Sequence, residues 1–412
     1  MKADSPPHKW VFPPRFRKAA FGWRGTQKAI PRIKEAVSEI KKASKKDAVL
    51  GAQGAILLIE KLSPALAQVD SSSGALGTAV NHAIGELVPV IAKPMVSEQI
   101  RNTWLERLWQ AVEEDDIPYI EIIPDYWGQL CVTPGLASRW ADKFIDTVRL
   151  VWSERGSRYF KGTNACLSAL FTATRYDQIL DLLGQAPFKW WHHHLWGVKA
   201  LVAKGRKAEA LRYAEESTGL NDNRAMVAEC CETILLSSGL AEEAYMRYAI
   251  PANRKMTYLA TFQAIVKKYP GKGKRDILHD LVASTPGQEG KWFAAAKWAG
   301  LYDEAIRLAN ISPCDPKVLV RASRDMATEL PEFAVEAGMA ALRWLAEGYG
   351  YEVTNLDIHD AYEQTINAAR NAGSKRETLG RIEELLTKDN AVNGFVARVL
   401  RPRLMAEPTA VT

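Results

Sequence analysis

Cysteine is scarce in this chain. Five residues in 412 carry a thiol: Cys131, Cys166, Cys230, Cys231 and Cys314. The number is odd, no Cys-x-x-Cys occurs, and adjacent Cys230-Cys231 is not the spacing of a structural disulfide. This excludes a disulfide framework and points to a reducing, cytoplasmic compartment. Long apolar runs are missing too. Ala55–Ile59 and Leu87–Ala92 are the best, far short of the ~18–20 residues a membrane-spanning helix needs, so no membrane partner is expected. The first 25 residues carry charges and prolines where a signal peptide would carry an apolar core. Strand signals are few. Only Tyr119–Ile123, between two prolines, reads as β-like. Catalytic signatures are absent as well: there is no HExxH, no GxSxG and no kinase set. Asp70-Ser-Ser-Ser-Gly74 and Gly271-Lys-Gly-Lys-Arg275 lack the strand and spacing of a phosphate-binding loop, and read as a helix-start loop and an inter-helix turn. No catalytic residue, metal, cofactor or small-molecule substrate is assigned.

What remains is ordinary globular composition, 47% apolar and 25% charged, which excludes a disordered or collagen-like chain. The net charge of +6 is unevenly spread. Residues 1–47 hold 13 Lys and Arg against 4 acids, a net of +9, which leaves −3 for the rest. Such asymmetry suggests an arm for a polyanionic partner, or a solubilising tail, or an arm docked on its own body.

In residues 1–25, Pro6-Pro7 and Pro13-Pro14 forbid a continuous helix. There Lys9, Trp10, Arg15, Phe16, Arg17, Lys18, Trp23 and Arg24 alternate cations with aromatic faces. That pattern suits single-stranded nucleic acid, where bases stack on rings and cations follow the backbone. It suits a protein groove equally, and it suits self-docking with Trp10, Phe16 and Trp23 as staples. Helical periodicity then begins. Ile33, Ala36, Val37 and Ile40 share one face, Lys34, Lys41 and Lys45 form a stripe beside it, and Glu39 lies within reach of Lys42.

Helical patterns fill the remainder, and from about residue 160 one form recurs. Thr174-Arg-Tyr-Asp-Gln-Ile179, Gly205-Arg-Lys-Ala-Glu-Ala210, Gly239-Leu-Ala-Glu-Glu-Ala244 and Gly300-Leu-Tyr-Asp-Glu-Ala305 each place a turn residue five positions before a small or apolar one. The spacings are 31, 34 and 61, with a degenerate copy at Lys272-Gly-Lys-Arg-Asp-Ile277 inside the longest. A period near 30–34 marks stacked helical hairpins. The expected fold is all-α, an N-terminal helical domain continuing into an α-solenoid. Its segments are an arm (1–25), a helical domain (26–156), a repeat region (157–312), a C-terminal helical region (313–403) and a tail (404–412).

Two strings stand out within this frame. In Trp190-Trp191-His192-His193-His194-Leu195-Trp196, three adjacent histidines fan over ~200° of a helix, too far to share a metal. Trp190, Trp191, His193 and Trp196 are instead candidates for a partner groove. Glu113-Glu114-Asp115-Asp116, with Glu121 and Asp125, reads as a solvated loop, a dock for the arm or a partner, or paired carboxylates for acid–base work. The last reading requires Glu114, Asp116 and Asp125 to converge.

Three stretches, Arg15–Arg24, the helix Ile33–Lys42 and Val69–Gly77, resemble uncharacterised bacterial proteins of helical-repeat character; beyond residue 160 the chain resembles tetratricopeptide-like repeats in general. The resemblance implies a bacterial cytoplasmic setting and brings no catalytic residues. The expectation is a non-enzymatic interaction protein binding a protein partner. The alternative is a nucleic-acid-associated protein gripping phosphates through residues 1–47.

Overall fold

A computed structural model describes residues 8–153, 159–219, 224–388 and 394–406. The first seven residues of the arm, the expected boundary at 156/157 and the last six residues of the tail lie outside them. The described residues are all-α, with consecutive helices packed on one another and no strand. Tyr119–Ile123 is not a strand: its residues form turns that lead into a 3₁₀ turn at Ile123–Tyr126. The flanking prolines and a buried Asp115 bend the segment before it can extend.

The chain divides into two compact units, Met1–Val227 and Ala228–Thr412. The first is built from Thr26–Lys46, Ala48–Leu66, Ala75–Ala92, Glu98–Glu113, Trp127–Cys131, Pro134–Trp152, Thr163–Thr172, Tyr176–Gly184, Trp191–Ala203 and Lys207–Glu216. Ala48–Leu66 and Ala75–Ala92 are long and apolar enough to cross a membrane by length and composition alone, although neither holds a long uninterrupted apolar run. Both contribute to the core of this unit, through Ile56, Leu58 and Leu62 and through Val80, Ile84 and Leu87.

Residues 8–25 join that core without becoming α-helical. Phe12, Phe16 and Phe21 are buried in it, while Trp23 is 69% exposed. The staples are therefore the three phenylalanines, with Trp10 half-buried over Gly54, whose missing side chain leaves room for the indole. Phenylalanine can be buried whole, whereas Trp23 sits in an exposed stretch with Gly22 and Arg24. Backbone groups fix the path. The N–H groups of Ala19 and Phe21 donate to Pro64 O and Ala65 O, and so cap carbonyls left open at the end of Ala48–Leu66. Glu39, which spacing places near Lys42, accepts the N–H groups of Val11 and Phe12 at 2.7 and 3.2 Å.

The second unit contains Ala241–Ala252, Tyr258–Lys268, Lys274–Ala283, Phe293–Trp298, Tyr302–Ile311, Pro316–Met326, Pro331–Ala346, Asn355–Asn371, Lys375–Lys388 and Phe395–Ala406. The last helix runs through Pro402 and past residue 403, where a loose tail was expected. This unit packs by small residues. A Cβ on Gly338 would stand 2.2 Å from Thr365 Oγ1, so only glycine lets Pro331–Ala346 and Asn355–Asn371 approach this closely. Glu232, fully buried, is held by Asn253, Lys268 and Tyr269 at 2.6–2.7 Å. A buried carboxylate must be paired in this way to be tolerated.

The four turns of the recurring form share one geometry, which the turns at Gly348 and Gly373 also adopt. Thr174, Gly205, Gly239 and Gly300 have φ of 58°, 76°, 76° and 78°. The next residue in each case donates its N–H to the carbonyl five positions back, at 2.9–3.0 Å, which satisfies an orphan at the helix end. The residue five places on, Ile179, Ala210, Ala244 or Ala305, is fully buried. At the degenerate copy, Gly273 instead has φ −64° and caps the next helix in extended conformation.

Candidate functional site

The lysine stripe faces a groove. On Thr26–Lys46, residues Ala29, Ile33, Ala36, Val37, Ile40 and Ala43 point inward, and the stripe at i, i+7 and i+11 lies along their edge. The facing wall is Ala75–Ala92, which supplies Thr78, Ala79, His82, Ala83 and Glu86. The groove between them holds about 630 Å³, with Ile30, Ile33 and Val37 at its floor and Lys34, Lys41, Lys42 and Lys45 along its lip. Lys41 Nζ binds Glu86 Oε2 at 2.5 Å, and that hydrogen bond holds the Glu86 carboxyl below its ordinary range. His82 Nδ1 lies 3.1 Å from the other Glu86 oxygen. Among the described residues Lys34, Lys42 and Lys45 have no ion-pair partner, so three cations on this lip remain uncompensated. Lys42 belongs to the site although the stripe had not included it: the tertiary wall, not the helix alone, brings it to the lip.

The arm residues are placed differently. Arg15 pairs with Glu35 at 2.6 Å. Lys9, Arg17, Lys18 and Arg24 are exposed and, among the described residues, without an ion-pair partner. Phe16 is 1% exposed and Trp10 half-buried, so of the three aromatic candidates only Trp23 offers an open face. The acids that receive the arm are Glu35 and Glu39, not the run at 113–116.

The two strings singled out near 113–125 and 190–196 meet in one cavity of about 370 Å³ within the first unit. Asp125 enters from the 3₁₀ turn Ile123–Tyr126, and its carbonyl accepts from Ser168 Oγ at 3.0 Å, which pins the turn. Its carboxylate accepts from Asn164 Nδ2 at 2.6 Å. Burial pushes its carboxyl up to about 6, with the charge of Glu121 adding to the rise. Glu121 is also raised, by burial and then by Asp115. Across the cavity stand Trp190 and His193, ring centroids 5.6 Å apart, with His192 4.2 Å from His193. Burial pushes His193 down to about 3, so it is a neutral imidazole. Beneath, Phe160 joins Trp109, Trp127, Trp140 and Phe144 in an aromatic cluster with edge-on and tilted contacts of 4.6–6.1 Å.

Trp191 and Trp196 are buried and Trp190 is 40% exposed, so the four residues expected to share a groove do not share one. A helical turn sends Trp191 and Trp196 inward and leaves Trp190 and His193 on the cavity. His194 points elsewhere, with Nδ1 2.7 Å from Tyr213 OH. No group of three or more His, Cys, Asp or Glu able to hold a metal occurs among the described residues.

Glu114 and Asp116 are exposed and outside the cavity, so the trio with Asp125 does not converge. Asp115 is buried, accepting from Ser63 Oγ at 2.5 Å and Ile120 N at 2.9 Å. Lys161 Nζ donates to the carbonyls of Val112, Glu113 and Asp115 at 2.7–3.1 Å. That ammonium offsets the acidic end of Glu98–Glu113 and satisfies its open carbonyls. Burial pushes the thiols of Cys131, Cys166 and Cys314 up to about 12, away from any nucleophilic role.

No protein-family model and no curated protein matches the chain. The bacterial resemblance rests on the three quoted stretches alone.

Proposed function

We propose that this protein is a non-enzymatic, helical-repeat interaction protein of the cytoplasm whose lysine-lipped groove takes an acidic amphipathic helix from a protein partner. The observation that carries this reading is the pairing of an apolar floor with a lip of cations that lack partners. An amphipathic helix lays its apolar face into such a floor and sets its acids against the lip. The four turns of one geometry support the repeat, and stacked hairpins serve binding far more than chemistry. Burial of Cys131, Cys166 and Cys314 as thiols supports the reducing compartment.

The nucleic-acid reading has one observation in its favour: Arg17, Lys18 and Arg24 stand in solvent near exposed Trp23. Against it, burial of Phe12, Phe16 and Phe21 removes the rings that bases would stack on.

The test is a salt series with two fluorescent probes, an acidic amphipathic peptide and a single-stranded oligonucleotide. Reversing Lys34, Lys42 and Lys45 to Glu should weaken peptide binding at least ~10-fold and flatten its salt dependence. Retained peptide affinity in that variant defeats the groove reading. Oligonucleotide binding lost on truncation of residues 1–25 but not on the lysine reversal would favour the alternative.

A further inference from the structure

The acidic cavity is not used by the groove reading, and its chemistry is of the opposite sign. The geometry points to this cavity as a binding site for a small organic cation rich in N–H donors, an alkylammonium or guanidinium group, seated against Trp190 and held by Asp125 and Glu121. Four observations converge on that class of ligand.

The first is charge. Asp125 and Glu121 face the same space, and Lys161, which lines it too, spends its ammonium on three backbone carbonyls at the helix end. Each carboxyl is raised, by burial first and then by an acidic neighbour; at Asp125 that rise outweighs the lowering by the Asn164 hydrogen bond and by the charge of Lys199. The second is acceptor capacity. Asn164 gives its Nδ2 to Asp125, and its Oδ1 is buried with no hydrogen-bond partner. A buried acceptor left open costs about 1–3 kcal/mol, and a ligand N–H would remove that cost. The third is His193, 8% exposed, neutral, and lining the cavity with no hydrogen bond to its ring among the described residues. A neutral imidazole offers one further acceptor. The fourth is the wall. Trp190, the residue before the helix Trp191–Ala203, is 40% exposed, and an indole face attracts ammonium and guanidinium groups alike.

An anion would meet the carboxylates of Asp125 and Glu121. A quaternary ammonium would satisfy the charge but neither open acceptor. A divalent cation would need a third close ligand, and no such group of three occurs among the described residues. An N–H-bearing organic cation uses all four features at once.

The experiment is calorimetric titration of the full chain at neutral pH with agmatine, which carries an ammonium at one end and a guanidinium at the other. Tetramethylammonium, succinate and Mg²⁺ serve as comparison ligands. Agmatine should saturate below ~10 mM, and tetramethylammonium should bind at least ~10-fold more weakly. Asp125→Asn should weaken agmatine at least ~10-fold, and so should Glu121→Gln, a substitution at an exposed position. Trp190→Ala should lose several-fold through the missing ring. The inference fails if agmatine does not saturate up to ~10 mM in folded protein, if either carboxyl variant binds as the parent does, or if succinate or Mg²⁺ binds as tightly.

Discussion

The lysine-lipped groove and the acidic cavity lie in one unit and share the helix Ala75–Ala92, which gives His82 and Glu86 to the first and Asn81 to the second. They treat charge in opposite ways. The groove keeps its ammonium groups in water, so each contributes little, adds to its neighbours and is screened by salt. The cavity takes Asp125 partly out of water, so that carboxyl has a large effect that depends on pH more than on salt. A surface that captures a partner is built the first way, because long-range attraction needs solvated charge. A pocket that selects one small group is built the second way, because desolvation makes a mismatch costly.

The largest expected effect tests the footing of the groove. Phe16→Ala removes a ring buried in the core of the first unit and should cost ~3–5 kcal/mol in urea unfolding. Trp23→Ala, on the same arm but exposed, should stay within ~0.5 kcal/mol. Equal losses would mean that the arm docks through Trp23 after all.

Next comes the cavity. The native carboxyl of Asp125 is raised to about 6 from the usual 3.8, so the native state binds that proton more tightly than the unfolded chain. Its stabilising contribution is therefore present below pH ~4 and lost as pH rises through ~6. Asp125→Asn should gain ~2–3 kcal/mol at pH 7–8 and nothing near pH 4. His193 acts in the opposite sense. Its native form is lowered to about 3 from the usual 6.5, so its contribution is lost as pH falls from ~6.5 toward ~3. The two slopes oppose one another between pH ~4 and ~6, and Asp125→Asn should expose the His193 slope as a steeper acid loss. A variant whose gain is the same at pH 4 and pH 8 would show that Asp125 is not desolvated.

The smallest effect belongs to the lip. Lys41→Ala breaks a pair with Glu86 that is largely solvated, and should cost under ~1 kcal/mol, vanishing in high salt. A salt-independent loss above that would place Lys41 with the cavity kind of charge.

Much of this was legible in the sequence, and unevenly. The stripe Lys34, Lys41, Lys45 and the inward face Ile33, Val37, Ile40 follow from 3.6-residue periodicity, which needs no tertiary information. The turns at Gly205, Gly239 and Gly300 were legible because left-handed φ favours glycine; Thr174 shows the same turn without it, which spacing alone revealed. The cavity was not legible. Its carboxyls and histidines looked like two unrelated strings, and of the acids expected to converge, Glu114, Asp116 and Asp125, only Asp125 lines it. Neighbouring positions on a helix or turn point in different directions, so a string of like residues says little about which member turns inward.

By itself, the sequence determined the all-α class, the register of each amphipathic face, the helix-closing turns and a basic N-terminal region. These are local properties, set by backbone sterics and by side-chain spacing within one or two turns. Only the tertiary structure decided that Phe12, Phe16 and Phe21 rather than Trp23 anchor the arm, that Lys42 joins the groove, and that Asp125 and His193 share a cavity. Those outcomes depend on which surfaces compete for burial once helices pack, and that competition is settled between residues far apart in the chain.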